Sequence, residues 1–157
     1  MTALQTSSRD RAEMYAKSKK LTIEKDLGGG YDGVVLATSK GTAIKAFRFT
    51  ELYRQELTVY QYLAKWRITE VNGFHIPRLV GFDNNRAIIE MTVVSPPFVV
   101  DFVGARIEMP IDYDDEWYEQ KKEEFEDDWP TVKCVIWGLQ EQGIYLTDVH
   151  PGNIRCR

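Results

Sequence analysis

The sequence predicts an α+β fold in which a five-stranded antiparallel sheet carries one long helix and is followed by a small, mostly helical remainder. Three observations predict it. Five short segments rich in β-branched and aromatic residues are separated by Gly, Asn, Asp or Ser turns. The run ELYRQELTVYQYLAKW, between the third and fourth of these, places apolar residues at helical spacing. Beyond residue 94 the pattern changes to two helical runs, the first of them strongly acidic. With 157 residues and 43% hydrophobic content, the chain can bury one core with a small second lobe leaning on it.

Taken in order, residues 10–19 read as a short polar helix, and residues 21–27 and 34–38 as two strands flanking a glycine cluster. Ser39, Lys40 and Gly41 supply the next turn, residues 42–49 a third strand, and Thr50 stands where an N-cap belongs ahead of the long helix. After a loop around Asn72 and Gly73, residues 76–82 and 86–91 are strands joined by Asp83, Asn84 and Asn85. Ser95, Pro96 and Pro97 break regular structure. The segment DYDDEWYEQKKEEFEDDW is expected to be a helix with a solvated face, a matter of surface rather than chemistry. Pro130 suits the first turn of a last helix whose Val132, Val135, Ile136 and Leu139 form an apolar stripe, and Gly143 is placed to end it. The organisation expected is a helical extension over 1–20, a sheet lobe over 21–94, and a hinge with the helical remainder over 95–157; no repeat or linker divides the chain further.

Composition narrows function by exclusion. Twenty Lys+Arg against 24 Asp+Glu give a formal charge of -4, which does not supply the basic surface that a phosphate backbone requires, so no nucleic-acid partner is expected. The first twenty residues lack the apolar stretch of a signal peptide and no apolar run is long enough to span a bilayer, so no membrane partner and a cytoplasmic address are expected. Cys134 and Cys156 lack metal-ligand spacing, and Cys134, in an apolar helical stretch, reads as a small packed hydrophobe.

Gly28, Gly30 and Gly33 satisfy G-x-G-x-x-G, and Val35 extends the match to G-x-G-x-x-G-x-V. Such glycines let backbone amides approach phosphate oxygens, although the same spacing also opens dinucleotide-binding units and ordinary β-turns. The β-branched residues that follow favour a hairpin over the helix that a dinucleotide-binding unit requires. In TAIK, Ala43 and Lys45 share one face of a strand. The alanine leaves room for a flat ring, with Val35 a candidate for the same wall, and the lysine can reach phosphates. On the long helix, Glu56 falls within the stripe of Leu52, Val59 and Leu63, whereas Glu51 does not. A carboxylate on an apolar face is costly unless paired, so an ion pair between Lys45 and Glu56 accounts for it, whether structural or functional. Finally, Asp148 and Asn153 lie five residues apart across a Pro-Gly turn, with His150 between them. Phosphoryl transfer uses such a pair to orient the attacking hydroxyl and to ligate magnesium, and His150 is placed to donate to a phosphate oxygen.

In this order, LGGGYDGVV, TAIK, the helix bearing Glu56, and TDVHPGNI make the chain resemble the protein-kinase-like superfamily over most of its length. Its DVHPGN loop is more similar to the D-x-H-x-G-N of aminoglycoside phosphotransferases and other atypical kinases than to the D-L-K-P-x-N of ordinary Ser/Thr kinases. The resemblance implies a kinase-like sheet lobe with an αC-type helix and a minimal helical C-lobe remnant. It further implies that Lys45 holds the α and β phosphates of ATP, Glu56 pairs with it, Asp148 is the base and Asn153 a ligand of Mg2+. Glu90 and Met91 would lie at the hinge, with backbone groups of residues 91–93 on the adenine edge.

Departures from the family pattern bear on activity. No D-F-G or A-P-E motif follows the loop, and Leu146 and Thr147 stand where kinases carry His-Arg. Without the D-F-G aspartate, metal binding is expected to weaken. The expected function is ATP binding with phosphotransfer to a hydroxyl acceptor; the alternative is a pseudokinase acting as a regulatory or interaction module. Apolar surface is expected near Ile144, Leu146 and Ile154, to be covered in a homo-oligomer or by a partner protein that completes the C-lobe.

Overall fold

Leu36, Ile44, Ala46 and Ile88, from three adjacent strands, meet Ala12, Tyr15 and Ala16 of an N-terminal helix in one buried cluster. The computed structural model of the protein describes residues 1–94 and 99–156, so the expected break at Ser95, Pro96 and Pro97 lies outside the described residues. The elements up to the end of the sheet are α1 (Ser8–Ser18), β1 (Ile23–Gly30), β2 (Gly33–Thr38), β3 (Thr42–Phe47), α2 (Thr50–Lys65), β4 (Glu70–Val71), β5 (Phe74–His75), β6 (Leu79–Asp83) and β7 (Ile88–Thr92). They are followed by β8 (Val99–Val100), β9 (Arg106–Ile107), α3 (Asp115–Phe125), α4 (Trp129–Glu141), β10 (Ile144–Tyr145) and β11 (Ile154–Arg155). Two compact units divide them: Met1–Ala64 with Pro77–Val93, and Lys65–Ile76 with Val94–Arg157. Helix α1 is thus packed within the first unit, and residues 65–76 cluster with the second.

The first unit is built on the five-stranded sheet that the sequence predicts, in the order β1-β2-β3-β7-β6 with every pair antiparallel. Strand β1 runs on through Gly30, because Gly28, Gly29 and Gly30 pair with Val35, Val34 and Gly33; the glycines form the strand end rather than a free loop. Helix α2 begins at Thr50 itself, and Tyr53 N donates to Phe49 O, so Thr50 lies inside the first turn and not at the cap. Residues 70–75, expected to be loop, fold into the hairpin β4–β5 with Asn72 and Gly73 at φ 49 and 84. Two consecutive positive φ values are what a two-residue primed turn requires and what an Asn-Gly pair readily adopts.

The sheet is covered on the side of Ile44 by α1, which buries Arg11, Ala12, Tyr15 and Ala16. That stripe is made of two alanines, a tyrosine and an arginine, so it does not show as an apolar pattern. The polar members are satisfied in place. Arg11 donates through Nη2 to Phe47 O at 2.7 Å, through Nε to Thr6 O at 2.9 Å, and through Nη1 to Arg86 O. Tyr15 OH donates to Glu90 Oε1 at 2.9 Å, while Glu90 Oε2 accepts from Thr42 Oγ1 at 2.8 Å, itself 2.7 Å from Thr38 Oγ1. Gly81 opposite Glu90 leaves the space: a Cβ there would stand 2.7 Å from the Tyr15 oxygen.

In the second unit α4 buries Val132, Val135, Ile136 and Leu139, as its spacing predicts, with Pro130 in its first turn. Gly138 admits the β4–β5 hairpin, since a Cβ would lie 2.4 Å from Val71 Cγ1. The acidic segment is α3, N-capped by Asp114, whose Oδ1 accepts from Trp117 N at 2.8 Å. Two expectations fail here. Ile144, Leu146 and Ile154 are buried, at 0%, 4% and 2% exposure, because β10 pairs with β9 and β11 with β8 over the same core as α4. The apolar surface invoked for self-association is therefore absent at these residues. Cys134 is exposed, for it falls between the buried positions of α4 on the side of Pro130 and Trp137.

Burial, reinforced by the neighbouring Glu90 carboxylate, raises the Tyr15 phenol far above the ordinary range. A raised folded-state pKa means that its contribution is fully present below the unfolded value of about 10 and is lost as pH climbs beyond it. Tyr15→Phe is expected to lower stability by about 1–3 kcal/mol at neutral pH, through a buried carboxylate left short of a donor. Urea unfolding of both proteins at pH 7 and above pH 10 checks this, the difference between them shrinking at the alkaline end.

Candidate functional site

Register decides which side chains of β2, β3 and β7 stand together. Val35 is opposite Lys45, Ala37 opposite Ala43, and Ala43 opposite Met91, so Val35, Ala43, Lys45 and Met91 occupy the sheet face turned to α2. Tyr60 of α2 donates from its hydroxyl to Met91 Sδ at 3.1 Å on that face. Lys45 Nζ lies 2.8 Å from Glu56 Oε1, with the lysine 14% and the glutamate 2% exposed, while Glu51 is exposed. The Lys45 ammonium also sits 5.0 Å from the Phe47 ring centroid, which confines it further. A buried carboxylate holding a cation at the edge of an apolar face is a fixed, directed positive charge.

Glu90 goes elsewhere. Its side chain alternates to the α1 face and is engaged by Tyr15 and Thr42, so only its backbone and Met91 belong with Lys45. The amides of Thr92 and Val93 are engaged as well, donating to Arg78 O at 2.9 Å and Gly41 O at 3.3 Å.

The glycine hairpin turns at Tyr31 and Asp32. Its tip is tied to the end of β3: Arg48 N donates to Asp32 O at 2.7 Å, and the Arg48 guanidinium lies 4.1 Å from the Tyr31 ring centroid. The glycines differ in kind. At Gly33, φ is 149° and a Cβ would stand 2.0 Å from Ala46 O; at Gly30 nothing lies within 4 Å. Gly28, at φ 145°, is held by Asp26 Oδ1 accepting from its amide at 2.9 Å.

Asp148, His150 and Asn153 share one loop in the second unit. Asn153 Nδ2 donates to Asp148 Oδ2 at 2.9 Å and to Asp148 O at 3.0 Å. With its nitrogen so committed, the amide presents its oxygen away from the carboxylate. Gly152 N donates to His150 Nδ1 at 3.1 Å, which leaves the proton of the neutral ring on Nε2, 3.6 Å from Asp148 Oδ1. Asp148 is about half exposed, with a relative side-chain exposure of 52%. The loop backbone is held by residues that sequence reasoning passed over. Tyr113 OH donates to Leu146 O, Lys121 Nζ to Val149 O at 2.6 Å, and Thr147 Oγ1 to Gly104 O at 2.9 Å. Burial pushes the Tyr113 phenol up to about 12, so it remains a donor throughout the neutral range. No spacing signal connects residues 113 or 121 to the loop, since each contact closes across more than twenty positions.

Among the described residues no group of three or more His, Cys, Asp or Glu is gathered to hold a metal. The Asp148 carboxylate and the Asn153 amide oxygen are hard donors of the kind that suits Mg2+, although the amide turns its oxygen away from the carboxylate.

No protein-family model matches the chain, and no curated protein matches it. Among solved structures it is similar to the ADP-bound aminoglycoside phosphotransferase APH(2'')-Ib, at 15% identity and a TM-score of 0.49, over 91% of this chain and 41% of that one. It is similar also to APH(2'')-IIa in a ternary complex with streptomycin and ATP, at 14% identity and a TM-score of 0.48, over 97% of this chain and 43% of the other. The chain thus spans less than half the length of either.

The glycine geometry sets an expectation. Gly33→Ala is expected to destabilise the first unit by more than about 2 kcal/mol through backbone strain and a carbonyl clash, whereas Gly30→Ala is expected to change stability by less than about 1 kcal/mol. Denaturant midpoints of the two variants measure it; equal midpoints would remove the distinction.

Proposed function

We propose that the chain binds ATP and transfers its γ-phosphate to a hydroxyl acceptor, as a kinase-like phosphotransferase. The observation that carries the reading is the Lys45–Glu56 pair set beside Val35, Ala43 and Met91, a directed cation bordering a small apolar wall. On this reading Val35, Ala43 and Met91 receive the adenine, and Lys45 receives the α and β phosphates under the direction of Glu56. The backbone of the glycine hairpin at Gly28, Gly30 and Gly33 closes over the phosphates.

Asp148 then accepts the proton of the acceptor hydroxyl, and the Asn153 amide, bonded to one of its oxygens, fixes the direction of the other. The Nε2 proton of His150 is available to a phosphate oxygen. Asn153, through its amide oxygen, would help hold Mg2+, which supplies charge neutralisation at the phosphates when bound. A second reading, a kinase-like binding module without phosphotransfer, draws support from the same loop, since no further carboxylate joins Asp148 and His150 among the described residues.

Calorimetric titration with ATP, with and without Mg2+, separates these readings. Lys45→Ala is expected to weaken ATP binding at least tenfold, about 1.4 kcal/mol. Because removing one member of a buried pair costs about 3–5 kcal/mol, its folding must be followed in parallel. Asp148→Asn, at an exposed position, is expected to leave binding within about threefold and to lower phosphotransfer by about two to four orders of magnitude. Binding with no transfer in either protein supports the second reading, and a folded native chain that binds no ATP overturns both.

A further inference from the structure

Charge is distributed unevenly along this chain. Residues 112–128 hold ten carboxylates against two lysines, although the whole protein carries only -4, so the remainder is net positive. Helix α3 lies in that segment, and part of the charge has a local explanation: Asp114 is the N-cap, and Asp115 and Glu116 complement the helix dipole in the first turn.

The surface between α3 and α4 is not a featureless solvated face. A groove of about 660 Å3 runs there, with Asp115, Tyr118 and Glu119 on one wall and Trp129, Lys133 and Trp137 on the other. These positions recur at helical spacing, so each wall is a continuous stripe of its helix. Trp137 is 45% exposed, an unusual state for a large aromatic, and its indole Nε1 lies 3.4 Å from Tyr118 OH, which fixes its tilt. Trp129, packed edge to face with Tyr118 and Trp117, makes the floor rigid.

Two indole rings of this surface lie beside cations of the chain itself. Lys133 Nζ sits 5.0 Å from the Trp137 ring centroid, and on the adjoining surface Lys121 Nζ is 5.8 Å from that of Trp117. Indole faces here attract cations, while Asp115 and Glu119 form no ion pair among the described residues. Lys122 also lines the groove, one helical turn from Glu119 and at the opposite end of α3 from Asp115.

We propose that the α3–α4 groove is a docking surface for a basic peptide segment of a partner protein, one arginine or lysine lying over Trp137 with Asp115 and Glu119 as counter-ions. Guanidinium stacking on an indole and a carboxylate pair one turn apart together select a cation on a semi-extended chain over an isolated ion. The proposal stands apart from nucleotide binding, since every residue it uses lies in α3 and α4. Its bearing on the loop is direct, because Lys121 of α3 donates to Val149 O beside Asp148.

The test is a titration of the full chain with an octapeptide of alternating arginine and alanine, followed by tryptophan fluorescence and repeated at raised salt. Parallel titrations use a glutamate–alanine octapeptide and spermine. Expected are saturable binding of the arginine peptide alone, weakened by salt, at least tenfold weaker in Glu119→Gln and in Trp137→Ala, and largely retained in Trp137→Phe. Glu116→Lys, which alters charge more than Glu119→Gln but outside the groove, is expected to change affinity less than threefold. Loss as large in Glu116→Lys as in the groove variants, insensitivity to Trp137→Ala in a folded protein, spermine binding as tightly as the peptide, or no peptide binding would each overturn the proposal.

Discussion

Two buried carboxylates, one on each face of the same sheet, constrain how the first unit can assemble. Glu56 reaches the sheet from α2 and Glu90 rises from β7 toward α1; neither is tolerable in an apolar layer without its own partners. Each therefore dictates where a helix must sit: α2 where Glu56 meets Lys45, α1 where Tyr15 meets Glu90. Hydrophobic contact alone would allow either helix to slide along its face by a residue or more. Directional bonds of 2.8–2.9 Å at a single point do not.

The Asp148 loop follows a different logic. Asp148 and Asn153 are bonded to each other within six residues, but the backbone around them is positioned by Tyr113 and Lys121 from outside, and the Thr147 hydroxyl ties the start of the loop to the Gly104 carbonyl. Val149 is itself buried, which fixes the loop beside Asp148 in the interior of the unit. Precision at Asp148 is thus a property of the whole second unit, whereas precision at Lys45 belongs to one strand and one helix turn.

The sheet, both long helices and the choice of Glu56 over Glu51 were legible because they rest on periodicity, which is local. So were the pairing of Lys45 and the apolar stripe of α4. The sheet-covering role of α1 was not, since its contact surface is formed by small and polar residues whose burial makes sense only opposite Glu90, Phe47 and Arg86. For Glu90 the strand alternation that separates it from Lys45 was available in the sequence but was outweighed by the family resemblance. The Asn72-Gly73 hairpin was signalled by its turn residues and passed over because its strands are two residues long. Burial of Ile144, Leu146 and Ile154 depends on the short pairings β9–β10 and β8–β11, which no pattern of two residues can announce.

The four glycines of the first hairpin separate architecture from chemistry in a way useful to anyone dissecting this protein genetically. At Gly33 the carbonyl of a neighbouring strand occupies the place of a methyl group, so an inactive allele there reports a broken scaffold. Gly30 faces open space, and an inactive allele at that codon would speak about whatever approaches the hairpin from outside.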